Sequence, residues 1–120
     1  MTYFFDTYAL IEMHKSNPSH EKFKECKIVT GLLNLGELHF VLQRSLAKEE
    51  SRKIIEALNP ELIELDQETL LTAMEFKRKH VKKDMSMVDC IGYLLAKKAE
   101  LVFVTGDAAF EKVEGVEWVK

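Results

Sequence analysis

The stretch "LVFVTGDAAF", which runs from Leu101 to Phe110, decides the fold of this chain. It opens with four large apolar residues in succession, a pattern typical of a strand that is buried on both faces of a sheet. Thr105, Gly106 and Asp107 follow, and residues of these types end a strand in a turn. The stretch therefore predicts a central strand with a carboxylate just beyond its carboxyl end.

A second apolar run, "TYFF" (Thr2–Phe5), also predicts a buried strand, and Asp6 follows it directly. Weaker strands are predicted at "KIVTG" and "ELIEL", and a weak edge strand at "VEWV". Helical patterns separate these strands. The first predicted helix is "TYALIEMHK", and a short second helix, capped by Ser19, reaches Cys26. The third, "LLNLGELHFVLQRSL", is apolar on most sides and is therefore expected to be deeply buried. The last three are "AKEESRKIIEALN", "DQETLLTAMEFKRKHV" with Asp66 as its cap, and "SMVDCIGYLLAKKAE", which begins at Ser86.

Strands that alternate with helices are typical of the α/β class. We expect a single domain over residues 1–120, with a mostly parallel central sheet of four to five strands and helices on both faces. The composition agrees, because 120 residues can bury a core and 47% of them are hydrophobic.

Charge and cysteine usage narrow the classes of function. A net charge of -3 does not suit a protein that holds nucleic acid by bulk charge alone, although it allows contact to phosphate through a metal ion. Cys26 and Cys90 form no disulfide framework, so a reducing cytoplasm is the expected location. The sequence predicts neither a signal peptide nor an apolar stretch long enough to cross a bilayer.

Four acidic residues are the candidate functional residues. Asp6 and Asp107 follow strands whose carboxyl ends meet at one edge of a parallel sheet, which is where such sheets bind ligands. Each of these two, and Asp89 with nearly the spacing of a capping box, has the alternative interpretation of a helix cap. No cap explains Glu37, which lies in the most apolar helix beside Gly36, a small residue that would let another element approach closely.

A cluster of carboxylates repels itself unless a cation lies among its members. Oxygen ligands without His or Cys suit a hard ion such as Mg²⁺ or Mn²⁺. The sequence therefore predicts a magnesium or manganese site at this edge of the sheet.

Four segments, "YFFDTYALIE", "LNLGELHFVL", "SMVDCIGYLLA" and "LVFVTGDAAF", resemble in their order the motifs of PIN-domain ribonucleases. More narrowly, they resemble the VapC-type toxins of toxin–antitoxin pairs, over essentially the whole chain. The resemblance implies an RNA substrate, a cognate antitoxin protein and a homodimer. It also implies a metal site made of Asp6, Glu37, Asp89 and Asp107, with Thr105 as a supporting hydroxyl.

The reaction expected of such a site is metal-assisted hydrolysis of an RNA phosphodiester bond. Asp6 and Asp89 are expected to ligate the cation directly, and Glu37 and Asp107 either directly or through water. Thr105 would hold a metal-bound water or fix a carboxylate. The chain departs from the family where "DCIGY" replaces an alanine-rich run and where Tyr8 replaces a small residue.

Other polar residues are assigned simpler roles. Asn34, one helical turn before Glu37, is a candidate to line the cleft, although packing or contact with solvent is the preferred role. Asp84 is a candidate fifth acid near the site, although a loop charge is the preferred interpretation. The basic run Lys77–Lys83 is expected to be a solvated helix end in preference to a phosphate contact. Cys90 lacks a His–acid pair that would activate it, and the four histidines lack ligand spacing. The apolar face of "SRKIIEALN" is a candidate dimer contact.

Two other functions are compatible with the sequence. One is a non-catalytic interaction module with the same fold. The other is a phosphoryl-transfer enzyme that uses Asp6 as its nucleophile, although "DTYA" lacks the second Asp that such enzymes generally place two residues on. Metal-dependent cleavage of structured RNAs would separate these three functions.

Overall fold

A computed structural model describes residues 2–120, so Met1 of the predicted 1–120 domain lies outside the described residues. Strands and helices alternate along the chain, as the sequence predicts. Short 3₁₀ segments lie at Pro18–Phe23, Val81–Lys83 and Ala108–Phe110. The strands are β1 (Tyr3–Phe5), β2 (Val29–Thr30), β3 (Glu61–Leu62), β4 (Val102–Thr105) and β5 (Val116–Trp118). The helices are α1 (Thr7–His14), α2 (Leu32–Leu42), α3 (Lys48–Leu58), α4 (Gln67–Lys79) and α5 (Met87–Lys98).

The main sheet contains three parallel strands in the order β1-β4-β5, so β4 is central, as its apolar sequence predicts. The expectation of four to five strands in this sheet is wrong. Strands β2 and β3 form a separate parallel pair. Strand β2 is only two residues long, and the Thr30 hydroxyl donates a hydrogen bond of 2.7 Å to the Phe5 carbonyl of β1. The Thr30 side chain thus connects β2 to β1, where a longer strand would make backbone hydrogen bonds.

Helices cover both faces of the main sheet, as predicted. Neighbouring side chains of a strand point to opposite faces. Phe4 pairs with Phe103 on one face, where they pack in one core cluster with residues of α4 and α5. Phe5 pairs with Val104, and these belong to a second cluster with residues of α1, α2 and α3. The strand ends between the two clusters are therefore held rigidly.

Helix α2 is less buried than its apolar sequence suggests. Leu32 and Phe40 are 69% and 70% exposed, because the helix packs through one side only, which includes Leu38. The close approach expected at Gly36 does not occur, since no atom of another element lies within 4 Å of the position that a Cβ would take. It occurs instead at Gly92 of α5, where a Cβ would lie 3.2 Å from the Phe4 and Phe103 rings.

Two smaller expectations also change. The 3₁₀ segment Pro18–Phe23 is capped by Asn17, whose side chain accepts a hydrogen bond from the Ser19 N–H, so Ser19 is not its cap. The apolar face of α3, the candidate dimer contact, carries Ile54, Ile55 and Leu58, and all three pack against the core. Within residues 2–120, no helix is both long enough and apolar enough to cross a membrane.

Candidate active site

The site begins where β1 and β4 end side by side. Asp6 follows β1, and its backbone N–H donates to the Val104 carbonyl over 3.1 Å, which continues the sheet by one residue. Thr105 is the last residue of β4, and its hydroxyl donates to Asp6 Oδ2 over 2.8 Å. Both side chains are almost fully buried, so this contact is shielded from water.

The other oxygen of Asp6 is held by α2. Asn34 is 1% exposed, and its Nδ2 donates to Asp6 Oδ1 over 3.2 Å and to the Thr7 hydroxyl over 3.1 Å. The expectation that Asn34 would only pack or face solvent is therefore wrong. Asp6 occupies the N-cap position of α1 but makes no side-chain capping bond, so its interpretation as a cap is wrong as well. The sequence signal for Asn34 was its place one turn before Glu37.

Asp89 lies in the first turn of α5 and is a genuine capping residue. The Asp89 N–H donates to Ser86 Oγ over 3.1 Å, and the Ser86 N–H donates to Asp89 Oδ2 over 3.3 Å. This reciprocal pair is a capping box, as the sequence spacing predicts. The pair also fixes the orientation of a carboxylate that is only 9% exposed.

Asp107 is a cap too. Its Oδ1 accepts from the Ala109 N–H over 2.9 Å, and its carbonyl accepts from the Trp118 indole N–H over 2.9 Å. Its own N–H donates to Thr105 Oγ1 over 3.2 Å. Thr105 therefore connects Asp6 to Asp107 through one hydroxyl oxygen, which donates to the first residue and accepts from the second.

The four acids interact electrostatically. Burial raises the pKa of Asp6 to about 8, and the charges of Asp89 and Glu37 add to the rise, while the hydrogen bond from Thr105 opposes it. Burial also raises the pKa of Asp89 to about 6, with further rises from Asp107 and Glu37 and opposition from its bond with Ser86. Each acid is thus close enough to at least one other for their negative charges to destabilise each other.

The donor chemistry of this cluster fits a hard divalent cation, because all four residues offer carboxylate oxygens. In the side-chain arrangement of residues 2–120, however, no three His, Cys, Asp or Glu residues converge closely enough to hold a metal ion.

Tyr8 lies at the rim of the cluster, against the backbone of Gly106. A Cβ added to Gly106 would lie 2.3 Å from Tyr8 Cε1 and 2.3 Å from the Val119 carbonyl oxygen, so only glycine fits here. Burial raises the pKa of the Tyr8 hydroxyl, and the charges of Glu12 and Asp107 add to the rise. Because Asp107 directly follows Gly106, against which the Tyr8 ring packs, Tyr8 and Asp107 are neighbours.

The remaining polar residues have other surroundings. Burial raises the pKa of the Cys90 thiol to about 11, which leaves it a poor nucleophile. His39 hydrogen bonds to Ser51 Oγ, and Asp84 is exposed with a left-handed backbone. In the basic run, Lys77 donates to the Met85 carbonyl, whereas Lys82 and Lys83 are exposed.

Comparison with known proteins agrees with this fold. A family model described as the PIN domain matches residues 3–116. Among solved structures, the chain is similar to a chain of a toxin–antitoxin complex from Klebsiella pneumoniae, with a TM-score of 0.77 and 16% sequence identity. The similarity covers 97% of this chain and 96% of that chain, and at such low identity it concerns the fold. No curated protein gives a significant match.

Proposed function

Since this chain belongs to the PIN-domain family, we propose that it is a metal-dependent endoribonuclease that hydrolyses RNA phosphodiester bonds. We further propose that it is the toxin of a VapBC-type toxin–antitoxin pair. The observation that carries the proposal is the buried position of Asp6 at the carboxyl edge of the main sheet, where Thr105 links it to Asp107 and where the charges of Asp89 and Glu37 add to the rise of its pKa. Buried carboxylates that destabilise each other are costly to the fold, and a cation would relieve that cost.

The residues that would hold Mg²⁺ or Mn²⁺ are Asp6 and Asp89 as direct ligands, with Glu37 and Asp107 completing the set. When bound, the cation would supply a hydroxide nucleophile at neutral pH and neutralise charge that grows on the phosphoryl group. Its binding requires the proton to leave Asp6, because the raised pKa keeps that side chain largely protonated near neutral pH.

The residues around the acids position them. Thr105 and Asn34 each donate to a different oxygen of Asp6, so the carboxylate plane is fixed before any ligand arrives. Ser86 fixes Asp89 in the same way through the capping box. A preorganised carboxylate pair orients substrate and water without the cost of ordering flexible side chains in the transition state.

The proposed partner is a small antitoxin protein that covers the acid cluster. The fold similarity to a chain of a toxin–antitoxin complex supports this partner. An arginine from the antitoxin would suit the cluster, since a guanidinium pairs with carboxylates through two parallel hydrogen bonds. We also propose that the chain forms a homodimer and works in the cytoplasm, where two free cysteines fit a reducing environment.

The alternative with Asp6 as a phosphoryl acceptor has less support. Both oxygens of Asp6 accept hydrogen bonds, and its raised pKa favours the neutral carboxylic acid, which is a weak nucleophile. No observation favours a purely non-catalytic module, and loss of RNA cleavage from a folded protein would be the result that selects it.

The test is cleavage of a panel of structured RNAs with Mg²⁺, with Mn²⁺ and with EDTA. We expect cleavage only with a divalent cation, and loss of nearly all turnover in Asp6→Asn and Asp89→Asn. Asp84→Asn is the matched control, because Asp84 is an exposed loop carboxylate and Asn tolerates its left-handed backbone. Undiminished cleavage in excess EDTA by nuclease-free protein would contradict the proposal.

A further inference from the structure

Tyr8 is the polar residue at the acid cluster to which the proposed chemistry assigns no task. It is the second residue of α1 and lies two residues after Asp6. The residue is half-buried, so part of it remains accessible. A large aromatic side chain at the mouth of a charged site is a candidate contact for substrate.

The backbone fixes where this ring lies. Gly106 has no side chain, and Tyr8 Cε1 and Cζ occupy the space that a Cβ would need, at 2.3 Å and 2.7 Å from that position. On the same glycine, the Val119 carbonyl oxygen fills the rest of that space. The ring therefore rests on a backbone segment that is held at one end by the Thr105–Asp6 hydrogen bond and at the other by the Asp107 cap. A rigid aromatic surface costs little entropy when a ligand binds to it.

Electrostatics give a reason for such a surface. The chain has a net charge of -3, and the proposed site is itself a cluster of acids, so long-range attraction to phosphate is absent. Beside contact to phosphate through the proposed cation, a contribution to RNA affinity that does not depend on charge would then be useful. Stacking of bases on aromatic side chains supplies one, and it acts on all four bases because each has a π-face.

We propose that the Tyr8 ring stacks on the base of a nucleotide that adjoins the scissile phosphate and thereby positions the backbone over the acid cluster. This inference rests on the proposed ribonuclease function. It assigns the contact to the ring and not to the hydroxyl, because stacking uses the π-face of an aromatic side chain, and packing on Gly106 holds that ring in place. Tyr8 is thus a substrate-positioning residue that binds unpaired RNA without strong base preference.

The test measures how much the bases contribute to RNA binding. Two fluorescently labelled single-stranded oligoribonucleotides of about six nucleotides, within the range of a single binding site, would carry equal numbers of phosphates, one with bases and one abasic throughout. Their dissociation constants would be measured by anisotropy with Mg²⁺ present, in the Asp89→Asn background so that hydrolysis does not interfere. The readout is the ratio of the abasic to the normal dissociation constant.

We expect that ratio to fall by roughly tenfold in Tyr8→Leu and to be retained in Tyr8→Phe. Tyr3→Leu is the matched control, since Tyr3 is also half-buried but packs against Phe5 and Phe23 at the other end of β1. Thermal melts would verify that each variant folds.

The outcomes separate this inference from the proposed function. An unchanged ratio in Tyr8→Leu, or an equal loss in Tyr8→Phe, would overturn stacking by Tyr8 while RNA binding itself stands. Absence of both binding and cleavage of the normal oligoribonucleotide by protein that keeps Asp89, in the presence of Mg²⁺, would contradict RNA as the substrate, and the role of Tyr8 with it.

Discussion

The Thr105 hydroxyl donates a hydrogen bond of 2.8 Å to Asp6 Oδ2 across two neighbouring parallel strands, between residues that are 99 positions apart in the sequence. The two residues stand just beyond the end of β1 and at the end of β4, the strands with the most apolar sequences. Because the sheet fixes the strand register, the hydroxyl and the carboxylate are aligned by the core and not by a flexible loop. The burial of β1 and β4 in the core thus positions the carboxyl group of Asp6.

Replacing Thr105 by Val tests this alignment. Valine keeps the shape but removes the hydroxyl, so a buried oxygen of Asp6 loses one partner while Asn34 remains bound to the other oxygen, and the Asp107 N–H loses its acceptor. We expect a loss of about 1–3 kcal/mol in the free energy of unfolding. Chemical denaturation would measure it, with Thr105→Ser as the control that restores the hydroxyl. Equal stability of Thr105→Val and the wild type would show that the hydrogen bond between Thr105 and Asp6 makes no net contribution to the free energy of unfolding.

The pH dependence of stability follows from the raised pKa of Asp6. In the metal-free protein this carboxyl is protonated up to about pH 8, whereas its ordinary value in an unfolded chain is 3.8. Between these values the folded state binds more protons than the unfolded state, so the free energy of unfolding decreases as pH rises. The slope is at most about 1.4 kcal/mol per pH unit, and it vanishes above the folded pKa.

The useful window for this measurement is about pH 6.5 to 8, because burial lowers the pKa of His20, whose contribution has the opposite sign at lower pH. We expect Asp6→Asn to flatten the decrease in this window and Asp84→Asn to leave it intact. Urea unfolding in EDTA at several pH values would provide the data. If the free energy of unfolding decreases equally steeply in Asp6→Asn, a group other than Asp6 binds the proton.

Asp89 can be tested as both a cap and a ligand. Loss of the capping box in Asp89→Ala should lower stability by about 0.5–2 kcal/mol, offset in part by relief of repulsion among the acids. The more specific signal is linkage, because a cation that binds only the folded state stabilises it by RT ln(1 + [L]/Kd). We expect added Mg²⁺ or Mn²⁺ to raise the Tm of the wild type and to raise that of Asp89→Ala much less. Equal increases at fixed ionic strength would mean that Asp89 is a cap alone.

The proposed toxin role predicts a growth phenotype. Expression of this chain alone in a bacterial host should arrest growth, because hydrolysis of cellular RNA continues without an inhibitor. Asp6→Asn should grow normally at the same expression level, and Asp84→Asn should be as toxic as the wild type. Normal growth with abundant folded wild-type chain would count against the toxin role.

The sequence predicts the central features of this fold well, and local physical chemistry explains why. The apolar runs of β1 and β4 specify buried parallel strands, and the Ser86–Asp89 spacing specifies a capping box that the structure contains. Helix α2 is less buried than its apolar content predicts, because apolar content does not reveal which side of a helix meets the sheet. Local sequence patterns do not predict long-range polar contacts either, and no such pattern links Asn34 to Asp6.

The most direct test of the proposed cation site is calorimetric titration of Mn²⁺ into the metal-free protein near neutral pH, in two buffers of different ionisation enthalpy. We expect saturable binding whose heat depends on the buffer, since the raised pKa of Asp6 means that a proton is released when the cation binds. Asp6→Asn should bind about tenfold more weakly or worse and should lose the buffer dependence, while Asp84→Asn should match the wild type. Absence of binding to the wild type, or equal affinity in Asp6→Asn, would contradict the claim that these carboxylates form a cation site.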